Sequence, residues 1–312
     1  MKQDNKRVRK IEKKQAWHKF LTGNTLMAYG FIVPSLLVFA VFMFYPLLHT
    51  VYLSFFDWNM IKPVKTFVGS QNYMALLQDP LTYTVMKNTL AYIVILLLLN
   101  WAAPYLLAFI LSFVIKRGRD FYKGMFFLPS VISLVVGSIL YLWILNPVSG
   151  PVAIIAKFFG LTVPIWSKTQ GLIIVVLSII TTWKVFGYNF IVLFGGITGV
   201  PQEVIEAARL DNVPLHRIFF DIVVPMSSAT GLYVFIMTIV QGLQYVFTPI
   251  KVITQGGPDN ASSNAIYNVY QEAFTLYHTG YASAFAIVTM ALFVILLLVE
   301  FKFVEKGIHY EN

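Results

Sequence analysis

Six long, predominantly apolar runs constrain this chain more than any other feature of its sequence. The hydrocarbon core of a bilayer is ~30 Å thick, and ~20 helical residues with a rise of ~1.5 Å each are needed to cross it. Every run reaches that length. The sequence therefore predicts six transmembrane helices, at Met27–Leu48, Leu90–Ile115, Gly124–Leu145, Gly171–Phe194, Met226–Phe247 and Ala282–Phe303.

Composition agrees with an all-α membrane protein. The chain is 58% hydrophobic and 12% charged, whereas soluble domains carry roughly 25% charged residues. It has no cysteine, which excludes disulfides and thiol-based metal sites. The five histidines are scattered in loops or at the ends of the runs. A membrane-embedded enzyme would need paired carboxylates, a histidine cluster or a nucleophile with its base, so no catalytic or metal-binding residues are predicted.

Basic residues are distributed unevenly between the two sides of the predicted bundle. Sixteen of the 23 Lys and Arg lie in an N-terminal arm (residues 1–26), in the second and fourth connections between runs, and around the tail (residues 304–312). By the positive-inside rule, both termini are then cytoplasmic. The net charge of +9 is thus explained by topology, and no nucleic-acid partner is expected.

Two segments on the predicted outer side have amphipathic character. In Phe56–Lys87, Tyr73, Met74, Leu76 and Leu77 suggest a short helix at the membrane interface. A second segment, 148–170, has an apolar face that we expect to pack on the bundle rather than bind a ligand. That face comprises Ile154, Ile155, Phe158, Phe159 and Trp166.

The connection between the fourth and fifth runs, residues 200–225, is more than a tether. Pro201 suits the first position of a helix, and Asn212 can adopt the left-handed conformation that ends one. Pro214 can open a second helix. Apolar residues are predicted on one face of each helix, namely Val204, Ile205 and Ala208, then Leu215, Ile218, Phe219 and Ile222. Two short helices with a sharp bend, attached to two membrane helices, are suited to transmitting force.

Small and acidic residues on this hairpin suggest a protein partner. Ala207 and Ala208 would allow another backbone to approach, while Glu206 and Asp211 offer charge. The pattern Glu206-Ala207-Ala208, Asp211-Asn212, Phe219 and Pro225 resembles the EAA loop of binding-protein-dependent ABC permeases. Asn212 stands where that family usually has Gly, and Asn is the next most tolerant residue for a positive φ. The resemblance implies that the hairpin docks in a cleft of a cytoplasmic ATPase.

A second segment, Thr254–Ser262, contains Gly256-Gly257-Pro258 and resembles the sugar permeases of the maltose-type branch. An Ala- and Gly-rich stretch from Gly280 fits the same branch. The resemblance extends from Met27 to the end, although the maltose permease has extra spans and a large outer domain that this chain lacks. It implies a bundle like that of an ABC type I importer permease, in which residues 27–303 form half of a pathway for a sugar or oligosaccharide.

The resemblance also implies partners and a location. They are a second permease that completes a heterodimer, two ATPase subunits and an extracytoplasmic solute-binding protein, in the cell (inner) membrane of a bacterium or archaeon. The sequence has no Gly-x-x-x-x-Gly-Lys-Ser/Thr motif, so it cannot bind ATP through a P-loop. We expect no cofactor on this chain, and ATP and Mg²⁺ on the partner ATPase.

Lys184 leads the candidates for the solute pathway, because an ionisable residue inside a span is costly. Polar and aromatic residues of the fourth and fifth runs suit sugar hydroxyls and C–H faces, and by resemblance the sugar contacts lie here. The candidates are Trp183, Lys184, Tyr188, Asn189, Thr238, Gln241, Gly242, Gln244 and Tyr245. A cationic cavity would suit an acidic saccharide or a phosphate ester.

Other interpretations remain open for these residues. Gln241 and Gln244 could instead form hydrogen bonds between helices or contact the second permease. Lys184 could snorkel to the cytoplasmic face, although the inner end of its span is ~15 Å away. The solute could be glycerol phosphate or another polar molecule. An ion-coupled secondary transporter is a further alternative, but no repeat and no mid-span acidic residue before Glu300 is found.

Overall fold

The computed structural model describes residues 23–115 and 117–304. The predicted basic arm as far as residue 22, Lys116 and the tail beyond residue 304 lie outside the described residues. By its internal contacts the chain divides into two units, Met1–Leu53 and Ser54–Asn312.

The described part of the first unit is one helix, α1, over residues 23–53. Its segment Met27–Leu53 is long and apolar enough to cross a membrane, and it contains the predicted span Met27–Leu48. One π-helical turn, Ala40–Phe44, interrupts it just before Pro46. Since proline has no N–H to donate to the preceding turn, a local widening at this position has a direct cause.

The described part of the second unit consists of helices, connecting loops and one short β-hairpin, in which β1 (Phe56–Asp57) pairs with β2 (Thr66–Phe67). Short helices lie between longer ones, and several long helices contain π-helical turns. The helices are α2 (Gln71–Gln78), α3 (Pro80–Val114), α4 (Arg119–Phe127), α5 (Leu134–Ile144), α6 (Pro151–Phe158), α7 (Leu172–Thr198), α8 (Gln202–Leu210), α9 (residues 215–226), α10 (Ser228–Thr254), α11 (Ala265–Tyr270, extended by a turn at Gln271–Thr275) and α12 (Thr279–Val304).

The second span, α3, begins ten residues earlier than the predicted start at Leu90. Its first turns are too polar to be recognised as membrane helix, but several of their polar side chains have partners. Asp79 caps the helix by accepting a hydrogen bond from the backbone N–H of Leu81 at 2.9 Å. The Asn88 amide donates to the carbonyl oxygens of Asn260 at 2.9 Å and Ser263 at 3.2 Å. Partners that are remote in sequence therefore stabilise this extension.

The third predicted span, Gly124–Leu145, is not one straight helix. The segment Arg119–Val131 and α5 meet at an angle of 99°. Pro129 lies in a tight turn at Leu128–Val131, and Ile132 then adopts an extended conformation. At ~1.5 Å per residue, the 11 residues of α5 cover only about half of a bilayer core. The described residues thus contain five helices long enough to cross a membrane, or six if the bent pair counts as one.

Each of the two outer segments contains a short helix, and in the first segment it includes residues 73–77 as predicted. On α2, Leu76 is buried in a cluster with Val85, Ala284 and Phe285, so part of its apolar face contacts the protein. On α6, Ala153 is the buried residue. Ile154, Ile155, Phe158 and Phe159 are exposed, so the expectation that they pack on the bundle is wrong, whereas Trp166 is buried in the core as expected. The small side chain of Ala153 permits a close approach on the opposite side of this helix.

Helix α7 lies at the centre of the unit and contacts α4 closely at Gly187. A Cβ atom at this position would lie 2.1 Å from the carbonyl oxygen of Phe126. We expect Gly187→Ala to force α4 away and to destabilise the protein by at least the ~1–3 kcal/mol typical of overpacking. Gly195→Ala is the matched control, since no described atom lies within 4 Å of that Cβ. Thermal unfolding of the detergent-solubilised protein tests this, and equal melting temperatures for the two variants would contradict it.

Candidate functional site

The first candidate region is the helical hairpin of α8 and α9 (residues 200–225), which connects α7 with α10 and is called the hairpin below. On α8, Ile205 and Ala208 are buried, whereas Glu206 and Ala207 are exposed. Of the two small residues that were predicted to admit a partner, only Ala207 is therefore available. Leu210, at the end of α8, is 83% exposed. The outer face of α8 thus combines a carboxylate, a small residue and an uncovered apolar residue.

The bend between α8 and α9 forms as predicted. Asn212 has a φ of 55°, in the left-handed region that Asn tolerates better than most residues. The N–H of Val213 donates to the carbonyl oxygen of Ala208 at 2.9 Å, which closes the end of α8. Asp211 and Asn212 are both exposed. The bend therefore presents the polar end of α8 on the surface.

Helix α9 fixes the hairpin to the membrane helices. Ile218 and Phe219 are buried, and the Phe219 ring lies 5.7 Å from the ring of Tyr105 and 5.1 Å from that of Phe109, both on α3. Leu215, which was predicted on the same apolar face, is 47% exposed. Pro225 is exposed in the last turn of α9, next to α10. A displacement of the hairpin would thus be transmitted to α3 and α10.

Two arginines add to this attachment in a way that the sequence did not indicate. Arg209 on α8 donates to the backbone oxygen of Phe113 at the end of α3. Arg119 donates to the oxygens of Ile115 at 2.8 Å and Ser112 at 2.9 Å. Helix C-termini expose carbonyl oxygens without intrahelical donors, and both guanidinium groups satisfy them. The end of α3 and the hairpin are therefore tied together.

The second candidate region is a cavity of about 400 Å³ beside the bend of the third span. It brings together four of the predicted pathway residues, Lys184, Tyr188, Gln241 and Tyr245. Three further residues complete its lining, namely Phe127, Ser130 and Val185. The polar groups are an ammonium, hydroxyls and an amide beside aromatic rings, a set that can bind a hydroxylated solute.

Lys184 is the charged residue of this cavity. Its Nζ donates to the backbone oxygen of Ser130, in the turn that precedes the bend. Within the described part of the chain, no carboxylate forms an ion pair with it. The stretch 121–202 contains no Asp or Glu at all. The cavity therefore has an uncompensated positive charge that is held by one carbonyl oxygen.

The other predicted pathway residues do not line this cavity. Asn189 is buried and donates to the oxygen of Asn100 at 2.7 Å and to Thr238 Oγ1 at 3.1 Å. Gly242 gives space to Leu96, whose Cδ1 would lie 3.1 Å from an added Cβ. These three positions join α3, α7 and α10. Packing between helices thus explains them without a ligand.

Trp183 and Gln244 also lie elsewhere. The Trp183 ring packs on Tyr141 at 5.4 Å and over Gly137, where an added Cβ would approach it to 2.9 Å. Gln244 is exposed and is absent from the cavity lining. Trp183 consequently braces α5 against α7.

Sequence reasoning missed Phe127 and Ser130, because both lie in what was predicted to be a regular span. The available signal was Pro129 between them, which marks a break where a backbone oxygen becomes free. A lysine inside a neighbouring span would be a natural partner for such an oxygen. The sequence shows the break at Pro129 and the lysine, but it does not show that the third and fourth spans lie side by side at these positions.

Comparisons with known proteins agree with the resemblance to binding-protein-dependent permeases. Residues 116–310 match the family described as binding-protein-dependent transport system inner membrane component. YurN of Bacillus subtilis (strain 168), a probable ABC transporter permease protein, is 33% identical over 91% of this chain and 98% of its own length. UgpA of Brucella abortus biovar 1, an sn-glycerol-3-phosphate transport system permease protein, is 31% identical over 92% of this chain and 97% of its own length.

A solved structure shares the fold. It is a bacterial alginate ABC transporter in complex with alginate pentasaccharide-bound periplasmic protein, and one of its chains has a TM-score of 0.76 at 19% identity. The match covers 91% of this chain and 95% of that chain. The resemblance noted at residues 206–225 is thus confirmed over most of the sequence. The protein described here is a multi-pass membrane protein that belongs to the family of binding-protein-dependent transport system inner membrane components, the permeases of ABC transporters.

Proposed function

We propose that this chain forms half of the translocation pathway of an ATP-driven importer for a sugar or oligosaccharide that carries an acidic group. Residues 27–303 would be the permease domain, with the arm (1–26) and the tail (304–312) in the cytoplasm. A solute-binding protein would deliver the solute on the side opposite the hairpin. Neither ATP nor Mg²⁺ would bind to this chain.

The observation that carries the proposal is the uncompensated charge of Lys184 in a cavity lined by polar and aromatic groups. A cation within a membrane span is costly unless something compensates it. An anionic solute would do so on arrival, while Tyr188, Gln241 and Tyr245 offer hydrogen bonds and ring faces to its hydroxyls. One backbone oxygen would compensate only part of the charge between transport cycles.

Glycerol phosphate is a second candidate solute. It is also an anion with hydroxyl groups, and the UgpA relatives are named for its transport in several species. The same lysine would serve for its phosphate. A cavity of about 400 Å³ accommodates either a monosaccharide unit or this smaller ester.

The exposed face of α8 supports a role in coupling to an ATPase. Glu206, Ala207 and Leu210 lie on that face, and Arg209 and Phe219 hold the hairpin on α3. A partner that seats there would move α3 and α10, and α10 carries two residues of the cavity. A second permease would complete the pathway, because Tyr188, Gln244 and Tyr245 are all partly uncovered at the surface of this chain.

Reconstitution tests the proposal. The transporter is purified gently from native membranes and inserted into vesicles with ATP and Mg²⁺ inside and its binding protein outside. We expect an ATPase and a second permease to copurify, and uptake of a uronate-containing oligosaccharide or of glycerol phosphate to exceed uptake of a neutral oligosaccharide of the same length. Uptake by the bare chain under an ion gradient without ATP would contradict the importer assignment.

A further inference from the structure

Helix α6 presents an unusually apolar surface for a connecting segment. Ile154 and Ile155 are 62% and 60% exposed, and Phe158 and Phe159 are 85% and 70% exposed. These four residues cover one side of the helix, since positions i, i+4 and their neighbours share a face. Ala153 occupies the opposite, buried side. The apolar face therefore points away from the second unit.

This exposure does not arise from loose attachment. Gly150 lies so close to the end of α5 that an added Cβ would be 2.6 Å from the oxygen of Ile144. The Asn146 side chain accepts hydrogen bonds from the N–H groups of Val148 at 2.9 Å and Ser149 at 3.1 Å. After the helix, Trp166 Nε1 donates to the oxygen of Leu145 at 2.7 Å. Both ends of the segment are thus fixed to the last turn of α5.

The position of α6 relative to the membrane follows from the helices that flank it. It lies between the end of α5 and the start of α7, whereas the hairpin follows the other end of α7. It is therefore at the membrane surface opposite the hairpin. Trp143, in the last turn of α5, is 59% exposed, and tryptophan is enriched at the level of the lipid headgroups.

Charge distinguishes between the possible occupants of this face. The segment carries Lys157 on α6 and Lys168 just before α7, and no acidic residue occurs anywhere in 121–202. Among the described residues, neither lysine forms an ion pair. Apolar side chains beside lysines without acidic neighbours fit a lipid surface that contains anionic headgroups.

We propose that α6 is a membrane anchor that inserts Ile154, Ile155, Phe158 and Phe159 between lipid chains and places Lys157 and Lys168 against anionic headgroups. Because both ends of the α6 segment are attached to the last turn of α5, the anchor also holds the end of α5. The turn before α5 carries the Ser130 oxygen to which Lys184 donates. One wall of the cavity is thereby tied to the membrane surface. The inference does not depend on which solute is transported.

Photo-crosslinking of the assembled transporter in native membranes tests this. Benzoylphenylalanine replaces Phe158, and the adducts are identified by mass spectrometry. We expect phospholipid adducts in which anionic species are enriched over the bulk lipid, by up to about fivefold per lysine. The same probe at Leu98, 60% exposed in the middle of α3, is the control that reports the lipid around a span.

The lysines are then removed in the double variant Lys157→Gln/Lys168→Gln. The enrichment of anionic lipid at position 158 should fall to the value at position 98. An adduct with another protein would show that a partner covers this face, and absence of any adduct would show that the face contacts water. Either result overturns the proposal, as does an anionic enrichment that persists without the two lysines.

Discussion

Glu206→Lys should abolish ATP-driven uptake and release the ATPase from the purified transporter. The carboxylate lies on the exposed face of α8, and Gln202 Nε2 donates to its Oε1 at 2.7 Å. That contact holds the carboxylate on the surface that a partner would meet. The lysine would face groups of the partner that are complementary to a carboxylate, and such a contact between like charges costs several kcal/mol. The affinity for the ATPase should therefore fall at least about 30-fold.

The fold should survive this substitution, because the groups that hold the hairpin lie on its other face. Ile205 and Phe219 remain buried, and Arg209 still donates to Phe113. Asp120→Lys is the control, a charge reversal at an exposed carboxylate near the same end of α3, where it removes only an exposed ion pair to Lys123 at 3.1 Å.

Copurification and uptake are measured on both variants. We expect Asp120→Lys to copurify with the ATPase and to support uptake. Glu206→Lys should do neither, and both variants should keep the melting temperature of the unsubstituted protein. An ATPase that stays bound to the Glu206→Lys protein, together with normal uptake, would remove this residue from the docking surface. Loss of expression in Glu206→Lys would contradict the view that its side chain contributes nothing to the fold.

Lys184→Gln should lower uptake of the anionic solute by roughly 10- to 100-fold, the value of a hydrogen bond to a charged group. The amide keeps much of the length and can still donate to the oxygen of Ser130. It removes the charge, and therefore the attraction for an acidic group. Uptake of a neutral oligosaccharide by the same transporter should change little.

Two further variants separate charge from position. Lys184→Arg keeps the charge and should retain much of the anion uptake. Lys87→Gln is the matched control, because it removes the charge of an exposed lysine on α3 that does not line the cavity, and uptake should be unaffected. Equal losses of anionic and neutral uptake in Lys184→Gln would mean that the lysine supports the bend at Ser130 and does not recognise charge.

The sequence by itself determined the class of the protein and the form of the hairpin. A bilayer imposes a minimum length on any helix that crosses it, so the apolar runs are visible without any knowledge of packing. The hairpin is equally local. Pro201, Asn212 and Pro214 set backbone conformations through their own chemistry, and the φ of 55° at Asn212 was predictable from the residue type.

Only the tertiary structure decided which polar residues meet in the cavity. Asn189 and Lys184 are five residues apart on α7, yet one is bonded to Asn100 and the other faces the bend at Ser130. Their directions depend on where α3 and α4 pack, which periodicity within one helix does not specify.

The same holds for the early start of α3 and for the outward face of α6. Polar residues such as Asn88 are tolerated because Asn260 and Ser263, distant in the chain, accept their hydrogen bonds. The apolar face of α6 was visible in the sequence, but its direction was not. The contacts of Gly150 and Ala153 with the protein turn it outward. Such contacts join residues that only the folded chain brings together, and this is why local sequence chemistry could not supply them.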